Sequence, residues 1–463
     1  MLNDNLLLLT DSYKVSHAKQ YPPGTQNVYS YFESRGGEFD RVLFFGLQYL
    51  LKKHLCGVVV TSEKIKEAEE IFAAHLTPGL FNKEGWQYIV DKHGGKLPIR
   101  IRAVAEGTIV PTKNALMTVE NTDPNCYWLT NYLETLLVQV WYPSTVATIS
   151  RAMKSIIVNA LERSGDPSLI PFKLHDFGCR GVSTMEAAAI GGAAHLVNFM
   201  GTDTVPALQL LRDYYGAKMA GFSIPAAEHS TMTSWGRDHE VDAYRNMLET
   251  FPEGLVAVVS DSYDVYNAVS RIWGGALRDK VLARKGTVVI RPDSGDPCKV
   301  VPDLLDLLER KFEVLTNDKG FKVLDPRVRL IQGDGIDRHS LAGILDAMMD
   351  RGWSADNVAF GSGGGLLQQC NRDTLKFAFK CSSVVVSGEE RDVSKNPVTA
   401  SWKKSKAGRM MLVKDPMFEI VHGSPWATMK ENGTYMKNYL DEVFLNGDLM
   451  IDDNLDAIRK RAQ

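Results

Sequence analysis

From Ser144 to about Ala378, apolar runs stop at loops of Gly, Asp, Ser or Arg, and each run is followed by a stretch of helical character. Leu255–Val259 (LVAVV) leads into SDSYD and a predicted helix through Asn267 and Ile272. Val288–Ile290 leads into RPDSGDP and a helix around Leu304–Phe312, Val328–Ile331 into QGDG and a helix from about Ser340 to Met349, and Val358–Phe360 into GSGGG. These strands lack polar alternation, the mark of a parallel sheet buried on both faces. Units of roughly 30 residues suit βαβ construction. The polar residues come directly after the strands, which in a parallel β/α barrel is the catalytic rim. An open doubly wound sheet would gather its chemistry at one switch point. Several successive polar strand ends favour the barrel.

The flanking regions have another rhythm. Before about Tyr142, short strands (Val28–Phe32, Leu97–Val104, Gly107–Pro111, Asn114–Val119) mix with a helix over Ser62–Leu76, whose inner face is predicted as Ile65, Ala68, Ile71, Phe72 and His75. After Lys380, Val384–Val386, Met410–Val413 and Phe418–Val421 read as antiparallel strands, Lys395–Arg409 as a basic loop and Ile451–Arg461 as a surface helix. The expected fold class is therefore α/β. An irregular parallel β/α barrel (147–384) stands beside a discontinuous α/β domain, built from residues 1–146 and 385–463 with the C-terminal part packing on the N-terminal part.

Composition narrows the function. With 463 residues, 44% hydrophobic and 24% charged, the chain can bury more than one core. A formal net charge of −3 argues against a dedicated nucleic-acid binder. Six scattered cysteines form no Cys-x-x-Cys pair and no zinc spacing, as expected of reduced thiols in a cytoplasm. The opening MLNDNLLLLTDSYK lacks the basic start of a signal peptide, and no apolar stretch approaches the roughly 20 residues of a membrane span.

The loops suggest phosphate and sugar chemistry. GSGGG (Gly361–Gly365) lets backbone N–H groups approach phosphate oxygens, or simply makes a tight turn; it is not a P-loop. Asp261 and Asp264, Asp293, and Asp334 end three successive strands, where they could bind ribose hydroxyls, hold Mg²⁺ with substrate phosphates, or cap the following helices. LHDFGCRG offers Phe177 and Arg180; the kinase loops that would give its Asp-Phe-Gly another meaning are absent. Arg180 could bind phosphate or form a structural ion pair. His229, beside Glu228 in a small-residue loop, is a candidate nucleophile, although a lone His is more often structural.

Ten segments in order resemble the nicotinamide phosphoribosyltransferase family, a type II phosphoribosyltransferase group: TDSYK, QYPPGT, ENTDPNCYWLTNYLET, KLHDFGCRGVS, GTDTV, IPAAEHST, VVSDSYD, IRPDSG, IQGDG and AFGSGGGLLQ. The resemblance extends from about Leu8 to past Arg409. The resemblance implies an obligate homodimer with two shared sites. It also implies transfer of phosphoribosyl from phosphoribosyl pyrophosphate to nicotinamide, giving nicotinamide mononucleotide and pyrophosphate in NAD salvage. Mg²⁺ would be required, and ATP would assist as co-substrate through a phosphohistidine.

By position, the resemblance implies that Phe177 stacks on the pyridine ring and that Tyr13 covers its other face from the second subunit, with Asp11 nearby. Asp203 would accept from the carboxamide, with Ser223 and Ser260 lining the pocket. Arg180 would meet the phosphate or the base. Arg291 and Asp293 would hold the ribose, and Asp264 and Asp334 would take ribose or metal-linked roles beside Gly333. Gly363 and Gly364 would cradle the 5′-phosphate. Arg372, Lys380, Lys395 and Lys403 would meet pyrophosphate or ATP phosphates. His229 would be phosphorylated, with Glu228 helping.

The chemistry agrees with this set. The pyridine nitrogen is already an unprotonated nucleophile, so the site must stabilise an oxocarbenium-like ribose and a departing pyrophosphate rather than supply a base. An ionised Asp203 accepts from an amide and repels a carboxylate, which predicts nicotinamide over nicotinate. Cys179 stands where animal members carry Tyr, and the 35–41 loop and the tail are shorter than theirs, which points to a bacterial or viral type. The competing readings are nicotinate phosphoribosyltransferase and a non-catalytic nucleotide-binding dimer. A sugar-phosphate barrel lyase lacks a Schiff-base Lys at a strand end.

Overall fold

The computed structural model describes residues 5–396, 399, 405–414, 417–422 and 436–463. They form two compact units. The first takes the described residues up to Thr148, Asp213–Gly216 and those from Cys370 onward; the second takes Ile149–Arg212 and Ala217–Gln369.

The first unit is organised on an antiparallel sheet of seven strands, in the order Glu389–Asp392, Phe377–Val386, Thr25–Ser34, Ala115–Asn121, Ile99–Ala103, Asp441–Leu445, Asp448–Leu449. Ala115–Asn121 is buried along its whole length, so both faces are covered at that strand. The second unit ends at Gln369, earlier than the expected 384, because Phe377–Val386 pairs with Thr25–Ser34 and sets Val384 opposite Val28. That pairing also makes the long second strand part of the first unit's sheet. Asp213–Gly216 was not foreseen there; Tyr215 stacks on Phe45, and Tyr214 O accepts from Gln48 Nε2 and Lys52 Nζ.

Local sequence sets the helix ends. Thr61 caps Ser62–His75 by accepting from Lys64 N–H. Ile65, Ala68 and Phe72 form its buried face, whereas Ile71 and His75 are exposed, so the inner stripe is narrower than the predicted one. The C-terminal helix is Leu455–Arg461 rather than one from Ile451, because Asn454 accepts from Ala457 N–H and starts it there.

The second unit is a parallel sheet ordered Gly201–Thr202, Leu174–Asp176, Val358–Ser362, Val328–Gln332, Lys285–Arg291, Glu253–Val259. Residues 222–226 close it: Phe222 bridges Gly201 on one side and Ala226 bridges Ala257 on the other. Ala257, Val289 and Ile331 form an inward layer with Phe177, Ile224 and Ala359 packed against it. Each main strand or closing segment thus sends one side chain inward, the construction of an irregular barrel. Asp296 and Asp337 cap the outer helices Pro297–Glu309 and Arg338–Asp350. No helix among the described residues is long and apolar enough to cross a membrane.

Candidate active site

Phe177 follows the Leu174–Asp176 strand, and its N–H donates to Ser362 O at 2.9 Å. Its ring lies over Gly361, where an added Cβ would stand 1.9 Å from the ring edge. Glycine at 361 is therefore dictated by the aromatic ring. Beneath the loop, Asp176 is fully buried and accepts from Gly178 N–H at 2.7 Å, which fixes the turn carrying Phe177. Burial pushes the Asp176 carboxyl up to about 6, reinforced by the charge of Asp203.

Asp203 leaves the short Gly201–Thr202 strand with its N–H on Asp176 O at 2.9 Å. Its exposed carboxylate accepts from Ser223 Oγ, which the barrel-closing segment supplies. One rim therefore carries, from two neighbouring strands, an aromatic face and an acceptor already oriented by a hydroxyl.

A cavity of about 870 Å³ is lined by Phe177, Arg180, Asp203, Glu228, Arg291, Asp293, Gly333, Asp334, Gly363 and Gly364, together with Cys179. Arg291 and Asp293 face each other at 3.4 Å (Nη2 to Oδ2) and are both largely buried. The space above Gly364 is open, whereas a Cβ at Gly365 would reach 2.7 Å from Ile336 O. Phe177, Asp203 and Arg291 also line a second, mainly apolar chamber of about 510 Å³ within the barrel, which includes Ser223. The cavity thus joins an apolar, aromatic part suited to a flat ring to a part rich in Asp, Arg and Gly suited to sugar and phosphate.

His229 begins a short helix after Glu228. Its Nε2 meets Asp261 Oδ1 at 2.8 Å; the Asp261 side chain is 6% exposed and that of His229 43%. Glu228 accepts from Ser230 Oγ at 2.7 Å and lines the large cavity. Asp261 was expected among the strand-end carboxylates for ribose, Mg²⁺ or a helix cap; the structure sets it against His229 instead.

Two expected residues do not face the site. Ser260 is fully buried; its hydroxyl donates to Val258 O and accepts from Trp273 Nε1, each at 3.0 Å, so it supports the strand end instead of lining the pocket. Asp264 Oδ1 accepts from Tyr266 N–H and Asn267 N–H at 3.0 Å each, so it is a helix cap. Asp334 remains exposed in the cavity.

Asp11, Tyr13, Arg372, Lys380 and Lys395 belong to the first unit, and Lys403 lies outside the described residues. Tyr13 is 60% exposed, its ring edge-on to His17. Asp11 accepts from Thr135 Oγ1 at 2.7 Å. Lys380 is half-buried, and its pKa is lowered by burial; Glu134 opposes the shift, while the charges of Arg35, Lys14 and Arg372 add to it. Lys395 is exposed, its N–H held by Ser405 Oγ at 2.8 Å. Elsewhere in this unit, His93, Asp123 and Cys126 converge although no sequence spacing announced them. The Asp123 carboxylate accepts from Tyr88, His93 and the Asn125 backbone, which makes this a satisfied capping network.

Comparison with known proteins gives the same direction. Residues 172–448 match the nicotinate phosphoribosyltransferase (NAPRTase) family, and residues 5–101 match the nicotinamide phosphoribosyltransferase N-terminal domain. A nicotinamide phosphoribosyltransferase of Xanthomonas campestris is 55% identical over 444 residues, covering 95% of this chain and 91% of the relative. One from Acinetobacter baylyi is 32% identical over 495 residues, covering 99% and 97%. Among solved structures, nicotinate-nucleotide pyrophosphorylase from Pyrococcus furiosus superposes with a TM-score of 0.63 at 14% identity, covering 100% of this chain and 96% of that one. Human nicotinic acid phosphoribosyltransferase gives 0.57 at 17% identity, covering 98% and 93%. These two likenesses concern the fold.

Proposed function

The chain belongs to the nicotinamide phosphoribosyltransferase family, and from that premise we propose that it joins nicotinamide to the phosphoribosyl group of phosphoribosyl pyrophosphate in NAD salvage, with ATP as an assisting co-substrate. The observation that carries the choice of base is the exposed Asp203 carboxylate, oriented by Ser223 on the same rim as the Phe177 ring. A carboxamide N–H donates to that carboxylate. The carboxylate of nicotinate would meet like charge in a partly desolvated place.

In the transfer, Phe177 holds the pyridine ring flat, which aims its nitrogen at the anomeric carbon. Arg291, Asp293 and Arg180 line the adjoining cavity and supply the charges that meet ribose and phosphate. The N–C1′ bond forms as the C1′–O bond to pyrophosphate breaks, and the electron pair leaves with pyrophosphate. Mg²⁺ fits this cavity through Asp334, and with Asp293 nearby; Asp264, committed to its cap, does not fit that role. When bound with substrate phosphates, the ion would neutralise the leaving charge.

The ATP step falls to His229. Asp261 accepts at Nε2, which leaves Nδ1 with its lone pair as the nucleophile. Attack by Nδ1 on the terminal phosphorus breaks the bond to the bridging oxygen and releases ADP. The resulting cationic ring keeps its Nε2 proton against Asp261. Arg372 and Lys380, with Lys14 and Arg35, gather like charge in the first unit, an arrangement that suits a polyphosphate. The exposed Tyr13 ring suits a contact with a second copy, which supports a homodimer with shared sites. Six free cysteines suit a cytoplasmic location.

The test is incubation with phosphoribosyl pyrophosphate, Mg²⁺ and equal nicotinamide and nicotinate, with and without ATP, and identification of the product by mass. Nicotinamide mononucleotide, formed in larger yield with ATP, is expected. Nicotinate mononucleotide as the main product would overturn the base assignment, and no product from either base would leave a non-catalytic nucleotide binder.

A further inference from the structure

Strand geometry in the first unit places four functional groups on one face. Tyr31 and Glu33 alternate along Thr25–Ser34, and Arg35 continues the same two-residue spacing just beyond it. Across the ladder, Tyr31 stands directly opposite Lys380. Glu33 is 2% exposed, an unusual place for a carboxylate, and both of its oxygens are engaged. Oε1 accepts from Arg35 Nε at 2.9 Å, and Oε2 accepts from Lys406 Nζ. Lys406 belongs to the basic loop, and its backbone N–H donates to Tyr31 OH at 2.9 Å. Arg35 Nη2 is buried without an acceptor in hydrogen-bond range.

A buried carboxylate that bridges two cations from separate segments fixes both in position. Here one segment is the strand end carrying Arg35, whose charge acts on Lys380 together with those of Lys14 and Arg372. The other is the segment of described residues Ser405–Arg409, which carries Lys406. Arg409 gives that segment a second anchor through Glu120 (2.7 Å) and Glu390 (3.0 Å). The cations nevertheless outnumber the carboxylates around Lys380.

We propose that Glu33 is a positioning residue for phosphoribosyl pyrophosphate, holding Arg35 at the strand end and Lys406 in the basic loop so that the cations around Lys380 converge on the substrate's polyphosphate. This rests on the reading of Lys380 and Arg372 as phosphate contacts. Glu33 itself touches no substrate. Its effect is confined to the charged substrate, and nicotinamide binding, which belongs to Phe177 and Asp203, is independent of it.

Steady-state kinetics of the full chain test this with Glu33→Gln, Lys406→Met, Arg372→Ala and Lys380→Ala, alongside thermal melting. Glu33→Gln should raise KM for phosphoribosyl pyrophosphate about tenfold, the worth of one charge-assisted contact, and leave KM for nicotinamide within about twofold. Lys406→Met should move the same constant in the same direction, and it supplies the reading if Glu33→Gln does not fold. An unchanged KM for phosphoribosyl pyrophosphate, or an equal rise for both substrates, overturns the proposal. If Arg372→Ala and Lys380→Ala raise that KM while Glu33→Gln does not, only the role of Glu33 falls. If they too leave it unchanged, the phosphate reading beneath it falls as well.

Discussion

His229 Nε2 lies 2.8 Å from Asp261 Oδ1, and the carboxylate that makes this contact is almost wholly buried. A buried acceptor on one ring nitrogen fixes the tautomer and leaves the other nitrogen for chemistry. In the proposed phosphorylation, the contact would also give the cationic ring a counter-charge that needs no rearrangement.

The first prediction follows directly. His229→Ala should abolish stimulation by ATP while retaining basal transfer. Asp261→Asn, which can no longer stabilise the cationic ring, should cut ATP-dependent turnover about 10- to 100-fold with smaller loss of the basal rate. Phosphorus NMR of enzyme treated with ATP should place the phosphate on Nδ1. Undiminished stimulation by ATP in His229→Ala would remove His229 from the mechanism.

The proposed role of Asp203 in choosing the base has its own test. Asp203→Asn keeps a side chain of the same shape at the position next to Ser223 but removes the charge. The ratio of kcat/KM for nicotinamide to that for nicotinate should fall by about tenfold or more, chiefly through better use of nicotinate. An unchanged ratio would sink the electrostatic account of base choice.

Gly361 gives a steric test of the stacking ring. A methyl group there would occupy the position of the Phe177 ring, 1.9 Å from Cε2, and the ring would have to swing away. The ring forms part of the cavity wall and also packs against the inward layer of Ala257, Val289 and Ile331, so its displacement is felt at the cavity and at that layer. Gly361→Ala should therefore raise KM for nicotinamide about tenfold, with a fall in melting temperature from the loosened packing. A comparable loss on the phosphoribosyl pyrophosphate side would show that the ring is not the element displaced.

Much of this arrangement was legible in the chain. Runs such as LVAVV and the loops behind them announced parallel strands with polar ends, and three of these ends, at Arg291 and Asp293, Gly333 and Asp334, and Gly363 and Gly364, line one cavity. Closure of the barrel was not legible. Residues 222–226, which include Pro225, complete it through two single bridges, and no strand pattern marks so brief a pairing. The placement of Phe377–Val386 depended on a partner more than 340 residues away, as the pairing of Thr25 with Val386 shows, and local pattern carries no trace of that. Within SDSYD, composition could not separate three fates. Ser260 turns into the core, Asp261 reaches His229 and Asp264 caps a helix, because each depends on the direction in which the chain leaves the strand. The pairing of Glu33 with Lys406 is hidden in the same way, since both residues look like ordinary surface charges until the loop folds back over the strand.

Glu106 provides a prediction about stability in the first unit. The carboxyl is buried, with Oε1 accepting from Gln48 N–H at 2.7 Å and Oε2 without a donor in hydrogen-bond range. Burial pushes its pKa up to about 7; the Gln48 and Gly46 N–H groups and the nearby Tyr215 hydroxyl oppose this, and the charge of Asp453 adds to it. The folded protein therefore holds this proton more tightly than the unfolded chain does. The stabilisation is complete below the ordinary carboxylate range and is lost as pH rises through about 7. A tenfold gain in proton affinity on folding is worth about 1.4 kcal/mol, so the change across the window is on the order of a few kcal/mol. Glu106→Gln mimics the protonated carboxyl at every pH. Urea unfolding should show the variant close to the parent at pH 5, and more stable than the parent by roughly 1–3 kcal/mol at pH 8. The same stability difference at both pH values would mean that Glu106 is already ionised in the folded protein, and that the donors around it outweigh its burial.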